Sequence, residues 1–264
     1  MSDFINDGLF EIAKTKNYIL SIQVCLDGFS FLIVDPREKQ VVAIKNSPIK
    51  ISNENLLARH LKEWLTSEAL FKNQFESVSL LYYSENFTLV PEEFYAREKQ
   101  KNLASLLFDK KLSGNIIENI IENLSLALLF PVPQEISNVL NQFFKSIEIL
   151  HPVTNVIRSY KAGENGILSF ILLTKKCFHL VAFENDKLKL ASSFQIQHPN
   201  DLVYNVINLF QQIGLARSET SLFVVSAIDQ NTETESLLKP YFNKVRILKT
   251  EDFIAGFENS LRSV

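Results

Sequence analysis

The runs YILSIQVC (18–25), FSFLIVD (29–35) and QVVAIKN (40–46) follow one another with only Leu26-Asp27-Gly28 and Pro36-Arg37-Glu38-Lys39 between them. Short apolar runs punctuated by turn residues predict an antiparallel meander of three strands. From Ser52 the apolar period lengthens. Leu57, Leu61, Trp64 and Leu65 share one helical face, while Asn53, Glu54, Lys62 and Glu63 lie elsewhere. SVSLLYY (77–83) then reads as a buried strand, and FTLVP (87–91) as a strand stopped by its proline. EEFYAREKQKNLASLLF (92–108) predicts a mostly exposed helix whose basic residues face water. NIIENIIENL (115–124) fits a helix or a pair of strands, and periodicity does not choose between them. SLALLF (125–130) predicts a buried strand ending at Pro131 and Pro133, QEISNVLNQFF (134–144) an amphipathic helix, and SIEIL (146–150) a further strand.

The pattern then restarts. GILSFILL (166–173), CFHLVAFE (177–184) and KLKLASSFQI (187–196) predict a second meander. A helix follows from about Asn200 to Ile213, closed by Gly214, then the strand SLFVVSA (221–227), a helix Thr232–Lys239 and a strand Val245–Leu248. Ile19-Leu20-Ser21 precedes Ile167-Leu168-Ser169 by 148 residues, and Phe29–Asp35 precedes Phe178–Glu184 by 149, so one inserted residue is expected between the halves. A repeat this long is a duplicated domain, since solenoid units are shorter. The expected organisation is an N-terminal extension (1–17), a first lobe (18–160) and a second lobe (161–264), each lobe an α/β unit of order βββαβαβ.

Composition narrows the function classes. With 264 residues and 46% hydrophobic content the chain is long enough for one large core or two ordinary ones. Its 21 Phe against 7 Gly, 1 Met and 1 Trp predict an aromatic and aliphatic core with few places where bare backbone approaches a ligand. A net charge of -3 gives no overall basic field, which disfavours nucleic acid or an acidic membrane surface as partner. No apolar run of about 18 residues occurs, and MSDFINDGLFEIAKTK (1–16) lacks the basic-then-apolar layout of a signal peptide, so a soluble cytoplasmic protein without a membrane span is expected. Cys25 and Cys177 sit in apolar segments without metal or redox spacing and are expected as reduced, buried thiols.

A doubled βββαβαβ unit resembles the actin-like ATPase superfamily of actin, sugar kinases and heat-shock chaperones, a ribonuclease H-like fold in which two lobes close on ATP. FTLVP (87–91), LLFPVP (128–133) and the order of elements are similar to a bacterial family of unknown function assigned that fold. The resemblance implies three nucleotide-handling loops. The first strand should carry an Asp followed two residues later by Gly, but Gln23 and Cys25 stand there. Asp27-Gly28 is the remnant-like pair, and a hairpin turn explains it more simply. The second lobe should repeat an Asp-x-Gly-Gly turn, where this chain has Thr174-Lys175-Lys176 after Phe170, Ile171 and Leu172. Two lysines at a hairpin tip attract an anion or simply stay solvated. The adenosine-contacting Gly-Gly is replaced by Val225-Ser226. No catalytic residue, cofactor or metal is therefore expected.

Other chemistry lacks its entry motif. His60, His151, His179 and His198 are scattered without metal spacing, and GxSxG, P-loop and GxGxxG sequences are absent. Glu92-Glu93, and Glu251-Asp252 after Thr250, are explained by helix starts. Arg97-Glu98-Lys99-Gln100-Lys101 with Lys110-Lys111 reads as a solvated mixed-charge face or a partner-binding one. The leading expectation is a non-enzymatic scaffold or adaptor in a bacterial cytoplasmic assembly, with a protein partner. The alternative is an enzyme or small-molecule sensor using an altered cleft lined by Gln23, Asp27, Ser30 and Lys175. Self-association, lobe to lobe or as a filament, is a third.

Overall fold

The computed structural model describes residues 4–5, 9–95, 108, 114–160, 166–227 and 232–248. The N-terminal extension contributes β1 (Phe4–Ile5) and a 3-10 turn. The predicted meander forms as β2 (Ile19–Cys25), β3 (Gly28–Asp35) and β4 (Gln40–Pro48), followed by α1 (Glu54–Ser67) and β5 (Ser77–Tyr82). All of β2 is buried, because strands flank it and both sheet faces are covered. The apolar stripe of α1 lies on this sheet. Trp64 stacks on Phe29 at 5.2 Å, meets Phe71 at 5.1 Å, and donates its indole N–H to the Ser47 hydroxyl at 2.9 Å.

Next come β6 (Thr88–Pro91), β7 (Gly114–Ile121) and β8 (Leu126–Pro133), a separate three-stranded sheet of order β6-β8-β7. Residues 115–124 are thus a strand and a 3-10 turn (Glu122–Leu124), because pairing with β8 overrides a pattern that suits a helix equally well. The expected stop at Pro131 is corrected. Strand β8 continues through Pro133, opposite Gly114. Its partner on the other side ends at the Thr88–Leu129 pair. The ring nitrogens of Pro131 and Pro133 lie beyond that pair and interrupt no hydrogen bond. Of the helix expected over 92–108, Glu92–Phe94 forms one 3-10 turn and residues 96–107 lie outside the described residues, as do Lys110-Lys111 and Glu251-Asp252.

The first half closes with α2 (Gln134–Phe143), β9 (Glu148–Leu150) and α3 (Pro152–Ser159). Helix α3 is absent from the sequence reading: it is only eight residues long, follows β9 almost directly, and buries Thr154 and Asn155 of its polar stripe along with its apolar face. The second half runs β10 (Ile167–Leu173), β11 (Cys177–Glu184), β12 (Lys187–Gln195), α4 (Pro199–Ile213), β13 (Thr220–Ser226), α5 (Thr232–Leu238) and β14 (Lys244–Leu248).

Sheet orders β4-β3-β2-β5-β9 and β12-β11-β10-β13-β14 match strand for strand, with β1 added at the edge of the first. The repeat register is corrected. Cys25 pairs with Gly28, Thr174 closes on Cys177, and bulges at Ile33/Val34 and Ala182/Phe183 coincide, so both hairpins align at one offset of 149. No inserted residue is needed within them. The 148-residue match of Ile-Leu-Ser would place every side chain of β10 on the wrong face. Strand β11 is two-faced: Phe178, Leu180 and Ala182 belong to the second sheet's own core, whereas Val181 and Phe183 join the larger core of the first half. We predict that Trp64→Ala lowers stability by about 3–5 kcal/mol, read from the chemical denaturation midpoint at unchanged m value.

Candidate functional site

The two meander hairpins have two-residue loops, Leu26-Asp27 and Lys175-Lys176, and the loops meet. The Lys175 backbone N–H donates to Asp27 Oδ2 at 2.8 Å. Asp27 is only 8% exposed, so this charge-assisted bond forms in a largely dry setting. Lys176 Nζ reaches the Ser52 carbonyl at 2.7 Å, so the same loop grips the first lobe twice. Gly28 sits at φ +136°, where a Cβ would lie 2.3 Å from the Ser47 carbonyl oxygen. Glycine is therefore demanded by packing against the end of β4.

A cavity of about 400 Å³ opens beside these loops, with Asp27, Thr174 and Lys175 at one end and Ser226, Glu233 and Thr234 at another. Leu173, Ile196, Leu202 and Leu237 supply apolar wall. Gln197 and His198 bring in the start of α4, whose free amides are already satisfied. Asp201 Oδ2 accepts from the N–H groups of His198 at 2.7 Å and Gln197 at 2.8 Å, and these bonds hold its carboxyl below the usual range. His198 Nδ1 accepts from the Asn200 N–H at 3.3 Å.

The structure brings Asp27, Thr174, Lys175 and Ser226 to this cavity and leaves the other sequence candidates outside its lining. Gln23 is buried, accepting from the Tyr83 hydroxyl at 3.3 Å. Cys25 donates to the Gly28 carbonyl at 3.7 Å, and Thr174 Oγ1 both donates to the Cys177 carbonyl and accepts its N–H. Burial raises both thiols, Cys177 to about 12, which makes them inert at neutral pH. Ser30 is buried with its hydroxyl unpartnered among the described residues, and Val225 is core. Gln197, His198, Glu233 and Thr234 were missed. The His198-Pro199-x-Asp201 helix start was the available signal for the first two.

A second polar feature lies where the halves pack. His151, capping α3, and His179, on β11, are fully buried with ring centroids 4.8 Å apart. His151 is satisfied as the neutral tautomer, Nε2 donating to the Ser84 carbonyl at 3.0 Å and Nδ1 accepting from the Val153 N–H at 3.2 Å. Burial lowers its pKa to about 3, opposed by the Ser84 carbonyl. Neither nitrogen of His179 has a partner among the described residues, and burial, then His151, pushes its pKa far down. Four histidines on separate elements gave no hint of this pair. Among the described residues no group of three or more His, Cys, Asp or Glu could hold a metal ion, and no helix is long and apolar enough to cross a membrane.

A family model described as "Protein of unknown function (DUF3822)" matches residues 7–245. No curated protein matches the chain. Among solved structures, a Bacteroides thetaiotaomicron VPI-5482 protein with actin-like ATPase fold and unknown function is similar over 95% of this chain and 99% of its own, at 21% identity and TM-score 0.78. A PilM–PilN type IV pilus biogenesis complex is similar over 92% and 96%, at 11% identity and TM-score 0.53. The ethanolamine utilization protein EutJ from Carboxydothermus hydrogenoformans covers 92% and 89%, at 7% identity and TM-score 0.51. The chain therefore has the duplicated actin-like fold. We predict that Gly28→Ala costs about 2–4 kcal/mol through clash and backbone strain, measurable as a lowered urea midpoint.

Proposed function

The chain belongs to the DUF3822 family, and from that premise we propose that it is a non-catalytic actin-like scaffold or adaptor of a cytoplasmic assembly, closed without nucleotide. Residues 18–160 and 161–264 serve as its two lobes. The observation that carries this reading is the Asp27 carboxylate on the Lys175 amide. A carboxylate there satisfies a backbone donor between the two loops and repels a phosphate entering the same space. The start of α4 is neutralised likewise by Asp201, so backbone amides at two places along the cavity already hold the protein's own anions. The fold-level likeness to a PilM–PilN pilus biogenesis complex supports a partner-binding role by analogy.

Calorimetric titration with Mg-ATP tests the reading. The expected result is no saturable heat up to millimolar nucleotide and no magnesium-dependent phosphate release; micromolar binding or hydrolysis would overturn it. Asp27→Ala is expected to lower stability by about 1–3 kcal/mol in thermal or chemical unfolding. The cavity of about 400 Å³ favours a second reading, a sensor for a small molecule without phosphate. Saturable stabilisation by a phosphate-free compound, abolished by Ser226→Trp, would favour that reading.

A further inference from the structure

We propose that the buried packing between the lobes is a pH-sensitive latch, in which proton uptake by His151 and His179 separates the lobes while each lobe stays folded. The two imidazoles come from opposite halves and meet ring to ring at 4.8 Å. His151 has the Phe87 ring at 4.8 Å and the Phe130 ring at 5.2 Å. His179 has Phe87 at 5.8 Å and Tyr83 at 6.3 Å, with Leu172 and Ser193 as its register neighbours on β10 and β12. The titratable groups about the pair are Tyr83 and, behind it, the thiols of Cys25 and Cys177, all held neutral by burial. Among the described residues, the electrostatic influence on His179 beyond burial is that of His151. No carboxylate appears among these neighbours to steady a positive charge.

Closed lobes thus require both rings to be neutral; separation frees His179 to water and strips from His151 the cover that the second half supplies, while its Phe87 and Phe130 contacts remain. An exposed histidine takes up its proton near pH 6.5. The closed form is favoured fully above that pH and loses ground as pH falls below it, because only the open form binds the protons. Relative to pH 7.5, a ring that is fully freed in the open form favours that form by about tenfold at pH 5.5, so His179 contributes about tenfold and the pair at most about 100-fold. Separation rather than unfolding is expected because the second sheet keeps a core of its own, including Ile171, Phe178, Leu180, Phe210 and Phe242. His179 also leaves its ring nitrogens without a partner among the described residues, a polar cost of closure that opening relieves.

The test is small-angle X-ray scattering with amide hydrogen exchange and far-ultraviolet circular dichroism, on the full chain at pH 7.5 and 5.5. The wild type is expected to expand at pH 5.5 and to lose exchange protection around 79–84 and 151–157, with unchanged dichroism. His179→Phe removes one site, and the pH-driven shift falls by about tenfold. His179→Leu serves the same purpose should the larger ring prevent folding. Identical scattering at both pH values, expansion that coincides with loss of secondary structure, or variants that open with the wild-type pH dependence would each overturn the proposal.

Discussion

The Lys175 amide bonded to the Asp27 carboxylate brings together two loops that are otherwise far apart in sequence, and much of the molecule is arranged to let them meet. Both loops are two residues long, so neither folds back over its own sheet. Gly28 lets the first loop lie flat against the end of β4, and Lys176 fastens the second to Ser52. Behind the contact, Cys25 and Cys177 stay dry and unreactive, each bonded within its own hairpin. The same bond decides the electrostatics of the neighbouring cavity, since one end of it is already anionic.

Farther inside, closure depends on desolvation more than on hydrogen bonding. Tyr160 stacks on Phe183 at 3.9 Å, and Phe87 and Phe130 surround the paired imidazoles. Asn119 ties the three-stranded sheet into this region, its Oδ1 accepting from the His151 N–H and the Thr154 hydroxyl while its amide donates to the Ile149 carbonyl. A dry aromatic contact is favourable for neutral rings and hostile to charge. Strand β11 makes the arrangement possible by giving alternate residues to two cores.

The duplicated fold was legible because each sheet is built from local apolar runs with turn residues between them, and because β2 and β11 repeat that rhythm. Its fine register was not. Ile-Leu-Ser recurs at 148 residues by coincidence, and only hydrogen-bonded pairing identifies 149 as the true offset. Residues 115–124 were ambiguous because their partner strand, not their own pattern, determines their conformation. For the site, resemblance pointed to Asp27, Thr174, Lys175 and Ser226, which do line one cavity, but it also pointed to Gln23 and Val225, which are core. The meeting of His151 with His179 depends on how the halves pack, and no spacing in one sequence encodes that.

Pro131 and Pro133 carry a consequence for assembly. Sheets grow by offering unpaired N–H groups to a neighbouring strand, and this is how one protein copy recruits another edge to edge. Where β8 runs past the end of β6, two of its three last residues have no N–H to offer, whichever chain approaches. That stretch can accept hydrogen bonds through its carbonyls but can donate none from its prolines. A second copy pairing there would form only the bonds that the carbonyls accept, so fibre-like growth from that margin is disfavoured by covalent structure.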